Sequence, residues 1–166
     1  CPVGSLLATN CSAGTYNDQD GQETCAQCPA GEYQDADGAT ACKACEPGYY
    51  CREGAGATLP CLAGTYSNAT NLTSSDQCTD TPPGHYSPTG SADPIACKVD
   101  TYNPQARSTN EKACVLCEVD ETTGGLEAQT SIASCLCRRG FYDEAADTEA
   151  VVCRTCPSGT DCRARA

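Results

Sequence analysis

Apolar residues never accumulate along this chain. The longest runs are a few residues, far short of the roughly 20 that a membrane-crossing helix needs, and no helical period of three to four links them. Instead the larger side chains return in step with cysteine. Cys11-Ser-Ala-Gly14-Thr-Tyr16 recurs as Cys28-Pro-Ala-Gly31-Glu-Tyr33, Cys45-Glu-Pro-Gly48-Tyr-Tyr50 and Cys61-Leu-Ala-Gly64-Thr-Tyr66. It recurs again as Cys137-Arg-Arg-Gly140-Phe-Tyr142 and Cys156-Pro-Ser-Gly159-Thr-Asp161, with divergent copies opening at Cys97 and Cys117. Between the cysteines lie turn formers such as Asp35-Ala-Asp37-Gly38 and Pro88-Thr-Gly90, which favour tight connections between short strands. The pattern predicts a small disulfide-rich fold of β-hairpins and loops with little helix, its repeats stacked into an elongated rod.

The glycine of each unit, three residues after the opening cysteine, is replaced by Asp100 and Asp120 in the divergent copies. Gly with Asp as its substitute marks a backbone position of positive φ, a tight turn just after the opener. The tyrosine two residues later is the largest apolar body in each unit, and it is expected to lie against a disulfide, the bridges with the tyrosines packed on them forming the core. Tyr16, Tyr33, Tyr50, Tyr66, Tyr86, Tyr102 and Tyr142 share that register.

Composition turns this pattern into an argument about stability. Of 166 residues, Leu, Ile, Val and Phe together number 17, no more than the 17 cysteines. So sparse an apolar set cannot stabilise a core of this length, which leaves covalent stapling. A cytosolic enzyme domain is thereby disfavoured, and the oxidising secretory route, ending outside the cell or at its surface, is expected. The net charge of −12 is spread along the chain. That keeps such a protein soluble and repels nucleic acid and anionic lipid heads, so neither is an expected partner.

The pairing of cysteines follows from a defect in the repeat. After Cys78 the register calls for an opener at position 81, where Thr81 stands, and for a closer near 94, where Pro94 stands. One unit has lost opener and closer together and orphaned nothing, whereas an interlocked pairing would strand two other cysteines. Openers therefore pair with their own closers: Cys11–Cys25, Cys28–Cys42, Cys61–Cys78, Cys97–Cys114, Cys117–Cys135 and Cys137–Cys153. The two short CxxGxxC units pair internally, as Cys45–Cys51 and Cys156–Cys162. Each long loop of about fifteen residues contributes roughly 3 kcal/mol in the chain-entropy model. Cys1 stands in the register of Cys51, so its partner is expected upstream, as in a window cut from a longer array. The repeats divide as 1–10 (the end of a preceding unit), 11–60 (three units), 61–96 (two, one unbridged), 97–155 (three) and 156–166 (the start of another).

Other chemistry fares less well. Cys25-Ala-Gln-Cys28, Cys42-Lys-Ala-Cys45, Cys114-Val-Leu-Cys117 and Cys153-Arg-Thr-Cys156 have zinc-like spacing. Zinc sites, however, do not run on as a ladder with a glycine turn after every second cysteine, and the βαβ setting of a redox CxxC is missing. Asp18-Gln-Asp20-Gly21 and Asp35-Ala-Asp37-Gly38 offer half of a calcium loop without the distal bidentate Glu, so calcium is a weak expectation. His85 is the single histidine, and no catalytic constellation, metal centre or cofactor site is expected. Asn68-Ala-Thr70, Asn71-Leu-Thr73 and Asn10-Cys-Ser12 are glycosylation sequons.

The units resemble ephrin-receptor-like cysteine-rich repeats, relatives of the cysteine ladders of growth-factor and tumour-necrosis-factor receptors. The resemblance runs from Cys1 to Cys162. It reads closest from Cys97 to Cys156, where Cys135-Leu-Cys137-Arg-Arg-Gly140-Phe-Tyr142 is similar to the Cys-x-Cys-Arg-x-Gly-Tyr-Tyr segment of ephrin receptors. The array has no ephrin-binding or kinase part, so the resemblance implies no signalling and carries over no ligand-contact residue. The array is also similar to stretches of giant surface proteins in algae, ciliates and other protists. What the resemblance implies is an extracellular spacer, adhesion or fibre segment. Its partners would be proteins, including other copies or subunits of an assembly, met through residues such as Leu6, Leu7 or Leu126. A receptor stalk or ligand-binding ectodomain is the alternative.

Overall fold

The computed structural model describes residues 10–19, 24–144 and 151–157. They form sixteen very short strands that pair two by two in chain order. The chain divides into two compact units, residues 1–79 with 89–93 and residues 80–88 with 94–166. In the first unit β1 (Thr15–Tyr16) pairs with β2 (Ala26–Gln27), β3 (Glu32–Tyr33) with β4 (Lys43–Ala44), and β5 (Tyr49–Tyr50) with β6 (Leu59–Pro60), all antiparallel. β7 (Thr65–Tyr66) and β8 (Thr79–Asp80) follow at its limit. In the second unit β9 (His85–Tyr86) pairs with β10 (Ile95–Ala96), and β11 (Thr101–Tyr102) with β12 (Val115–Leu116). β13 (Glu121–Thr122) pairs with β14 (Leu136–Cys137), and β15 (Phe141–Asp143) with β16 (Cys153–Thr155). An opener, a left-handed turn and a short strand, which carries the tyrosine in every hairpin but that of β13, thus form one arm, and the residues before or at the next opener form the other.

Seven bridges close opener to closer among the described residues: Cys11–Cys25, Cys28–Cys42, Cys45–Cys51, Cys61–Cys78, Cys97–Cys114, Cys117–Cys135 and Cys137–Cys153. These are the pairs that the register yields. Cys156 is also disulfide-bonded; Cys162 and Cys1 lie outside the described residues, as do Leu6 and Leu7.

Two-residue strands cannot hold a fold by themselves; the repeats are joined by backbone hydrogen bonds that no single hairpin contains. The N–H of the turn glycine donates to the carbonyl of the residue after tyrosine in the next repeat: Gly14 to Gln34, Gly31 to Cys51, Gly48 to Ser67 and Gly84 to Asn103, at 2.7 to 2.9 Å. The carbonyls of six openers accept in turn from a second left-handed residue one repeat on. Gly38, Gly54, Asn71, Gly90, Arg107 and Ala128 donate to Cys11, Cys28, Cys45, Cys61, Thr81 and Cys97 respectively, and all six have φ between 57° and 77°. These bonds pair backbone polar groups of one repeat with those of the next within each unit.

The turn position has the conformation its residue types imply, with φ of 84° at Gly14, 61° at Asp100 and 72° at Asp120. Glycine does more there than accept that angle. A β-carbon on Gly14 would stand 2.3 Å from the carbonyl oxygen of Gly54, two repeats further along, and one on Gly84 would stand 2.3 Å from that of Ala128.

Two expectations need correction. The tyrosines are not core: Tyr16, Tyr33, Tyr50, Tyr66, Tyr86 and Tyr102 are half-buried, and Tyr142 is exposed. The fully buried side chains are Cys28, Cys45, Cys51, Cys61, Cys97 and Cys135, together with small polar residues such as Ser87 and Asn103. Strands of two residues are too narrow to cover a ring on both sides, so sulfur and short polar groups fill the middle.

The second correction concerns the unbridged repeat, whose missing closer is not at Pro94. Thr81 to Cys97 has the length of Cys45 to Cys61, and in both the ninth residue after the opener is a left-handed glycine, Gly54 or Gly90. Thr81 and Ser87 therefore take the places of Cys45 and Cys51, and all four residues are fully buried. The lost bridge is of the short kind. Thr81 and Ser87 keep its volume, with hydroxyls that find no partner among the described residues.

The longer repeats absorb their extra residues in one 3₁₀ turn before the closer, at Ser75–Gln77, Glu111–Ala113 and Ile132–Ser134. Asn110 and Ser131 cap the second and third of these by accepting from the N–H of Lys112 and Ala133. In the first, Gln77 reaches back to accept from the N–H of Ser74.

Candidate interaction surface

The first unit is acidic, and of the ten basic residues only Lys43 and Arg52 belong to it. The Lys43 ammonium pairs with Asp35 and lies 5.7 Å from the centre of the Tyr33 ring. Its hydrogen bond to Asp35 raises the pKa of Lys43 and lowers that of Asp35. Asp37, the other carboxylate of that turn, accepts from the N–H of Ala13 at 3.0 Å. The two acids expected of a calcium half-loop are thus committed to separate protein partners. Asp18 is exposed, and Asp20 lies outside the described residues.

The second unit carries most of the exposed large apolar side chains among the described residues, including Val99, Leu116, Val119, Leu126, Ile132 and Leu136. Leu116 is 74 % exposed and Val119 82 %. The closing arm of each hairpin has no strand partner on its outer edge in the described pairings, and Val115 and Leu116 on one such arm are both exposed. A shallow groove of about 320 Å³ opens beside them, lined by Tyr86, Val99, Thr101, Leu116 and Cys114. The Lys98 ammonium and Glu111 carboxylate at its border are 2.7 Å apart. The groove is apolar within and self-neutralised at its edge.

Asp100 ties this unit together. Its carboxylate accepts from the Thr122 hydroxyl at 2.6 Å and from the Thr123 N–H at 3.1 Å, and the Arg138 guanidinium lies 3.3 Å away. The hydrogen bonds from Thr122 and Thr123, with Arg138 adding to them, hold its pKa below the usual aspartate value. Where most repeats use a glycine, this one uses a side chain to reach its neighbours. The Asp100 N–H accordingly donates to the Thr123 hydroxyl instead of a carbonyl.

Glu121 is a buried carboxylate that the sequence reading did not single out. Its oxygen accepts from the Glu118 N–H at 3.0 Å, at the position where Thr15, Thr65 and Thr101 instead donate a hydroxyl to a carbonyl. It lies within 4.8 Å of the sulfurs of Cys117 and Cys135. Those sulfurs are bonded to each other, and metal binding by cysteine requires the thiolate. The same holds for the CxxC pairs with described bridges, whose sulfurs are spent in separate disulfides. His85 Nδ1 lies 3.1 Å from the Pro83 carbonyl. The three sequon asparagines, Asn10, Asn68 and Asn71, are all exposed. No helix among the described residues is long and apolar enough to cross a membrane.

Comparison with known proteins adds one match. Residues 2–45 and, overlapping them, 14–58 match the family model described as tyrosine-protein kinase ephrin type A/B receptor-like. No curated protein matches the chain. The match lies at the N-terminal end and not in Cys97–Cys156, where the resemblance by residues reads closest. The N-terminal windows hold the regular units with Gly14, Gly31 and Gly48, whereas two of the later units put aspartate at that position. The ladder of bridges that each close opener to closer is that of tandem cysteine-rich repeats, and those within residues 2–58 are similar to the ephrin-receptor-like family.

Proposed function

We propose that the chain is a non-enzymatic, extracellular structural segment, a stiff disulfide-laddered spacer within a larger surface or fibre-forming protein. The disulfides and the ephrin-receptor-like repeats point to an extracellular or secreted location. The observation that carries the reading is the double linkage of the array. From Cys11 to Cys137 every opener is bridged within its repeat, save at Thr81, while main-chain hydrogen bonds join successive repeats within each unit. Load passes through closed loops held by covalent bonds, and acidic turns keep the surface in water.

Stretching single chains from their two ends tests this. The oxidised chain should release little length before the linkage breaks, and a dithiol reductant should release the bridged loops. Equal extension with and without reductant would overturn the reading. The groove beside Leu116 favours a second one, a receptor ectodomain that binds a protein ligand. Saturable binding to a purified extracellular protein, abolished by L116D in a chain with all its bridges closed, would put that reading first.

A further inference from the structure

Three sequons occur, and the fold treats them differently. Asn10 packs its carboxamide against Gly38, its Cγ 3.4 Å from where a β-carbon would stand, and the next residue, Cys11, is bridged to Cys25. Asn71 is the left-handed residue of its repeat, with φ 60° and its N–H given to the Cys45 carbonyl. Its carbonyl oxygen would stand 2.6 Å from a β-carbon on Gly31, so its backbone is wedged in the joint between repeats. Leu72 beside it is buried, and the N–H and hydroxyl of Thr73 both donate to Gln77 Oε1. The hydroxyl that a sequon must present is thus occupied. Asn68, Ala69 and Thr70 are all exposed. The buried Ser67 anchors the loop by accepting from the Ala69 N–H at 3.3 Å, and the side chains of Asn68 and Thr70 take no hydrogen bond among the described residues.

We infer that Asn68 is the N-glycosylation site of this protein and that Asn71 and Asn10 stay unmodified. The donor is an oligosaccharide carried on a lipid diphosphate. The Asn68 Nδ2 lone pair attacks the first sugar carbon, the Nδ2–C1 bond forms as the C1–O bond to the diphosphate breaks, Nδ2 gives one proton to a basic group of the transferase, and the lipid diphosphate leaves with the C1–O electron pair. The Thr70 hydroxyl is free to engage the transferase. A glycan there stands on a polar loop tip and displaces no joint between repeats. The inference rests on the extracellular reading above.

The test expresses the whole chain behind a secretion signal in a eukaryotic cell. Occupancy is read on both the medium and the cell lysate, by peptide mass after a glycosidase that converts a glycosylated Asn to Asp. The expected result is conversion at Asn68 alone, with the glycosidase-sensitive mass shift lost wholly in N68Q and T70A and retained in N71Q and N10Q. Conversion at Asn71 or Asn10, or an unmodified Asn68 in either fraction, overturns the assignment. A chain that carries the Asn68 glycan but is retained with open bridges upholds the site and counts instead against the extracellular reading.

Discussion

At the scale of single residues, the backbone angle three positions after each opener decides what the side chain can be. Gly84→Ala should destabilise the oxidised protein by about 2 kcal/mol or more, since it adds the cost of a left-handed alanine to a clash with the Ala128 carbonyl. Ala128 itself has φ 57°, so Ala128→Gly should raise stability by about 1 kcal/mol. Thermal unfolding of both variants checks the pair. Asp100 meets the same angle with a functional side chain, and its lowered pKa sets a sign. The ionised carboxylate stabilises the fold above the ordinary aspartate pKa, and this contribution is lost as pH falls through the lowered value in the folded state. Asp100→Asn should flatten that acid limb, read as melting temperature against pH; an unchanged limb would remove Asp100 from the account.

The unbridged repeat argues at the scale of the element. Because Thr81 and Ser87 stand in the register of Cys45 and Cys51, the double variant T81C/S87C should close a bridge of sequence separation 6, as that pair does. The oxidised mass should fall by two hydrogens, and stability should rise by about 2 kcal/mol from loop closure. A bridge from position 81 to a closer at position 94 is the competing expectation, and a T81C/P94C variant that bridged more readily would reverse the assignment of the lost rung. T81V tests the same site without sulfur. Removing a buried hydroxyl that lacks a protein partner should stabilise by about 1 kcal/mol. The 3₁₀ turns are a smaller element that the repeat pattern did not announce, because their caps, Asn110 and Ser131, look like ordinary turn residues until the closer's position is known.

For the whole molecule, covalent bonds stand where a hydrophobic core would be. Full reduction should abolish cooperative unfolding in both units, read by hydrogen exchange, because the fully buried side chains are sulfur and small polar groups and not packed aliphatics. Much of this was legible beforehand. Opener and closer fall in fixed register, so the bridges are local, with separations of 6 to 18 residues, and local pairings can be read from spacing. The left-handed turn is a property of one residue and shows in the choice of Gly or Asp.

What the residues alone determined is therefore what depends on neighbours in the chain: hairpins, bridges, turn angles, a sparse apolar inventory and an acidic surface. Tertiary structure decided what depends on other repeats. It set the hydrogen bonds from Gly14 to Gln34, the crowding of Gly14 by Gly54 two repeats away, the burial of Ser87 and Asn103 in place of tyrosine, and the freedom of Asn68 beside a locked Asn71. The physical reason is range. Spacing encodes a closed loop, but whether a hydroxyl or a carbonyl is free is settled only when the next repeat arrives against it.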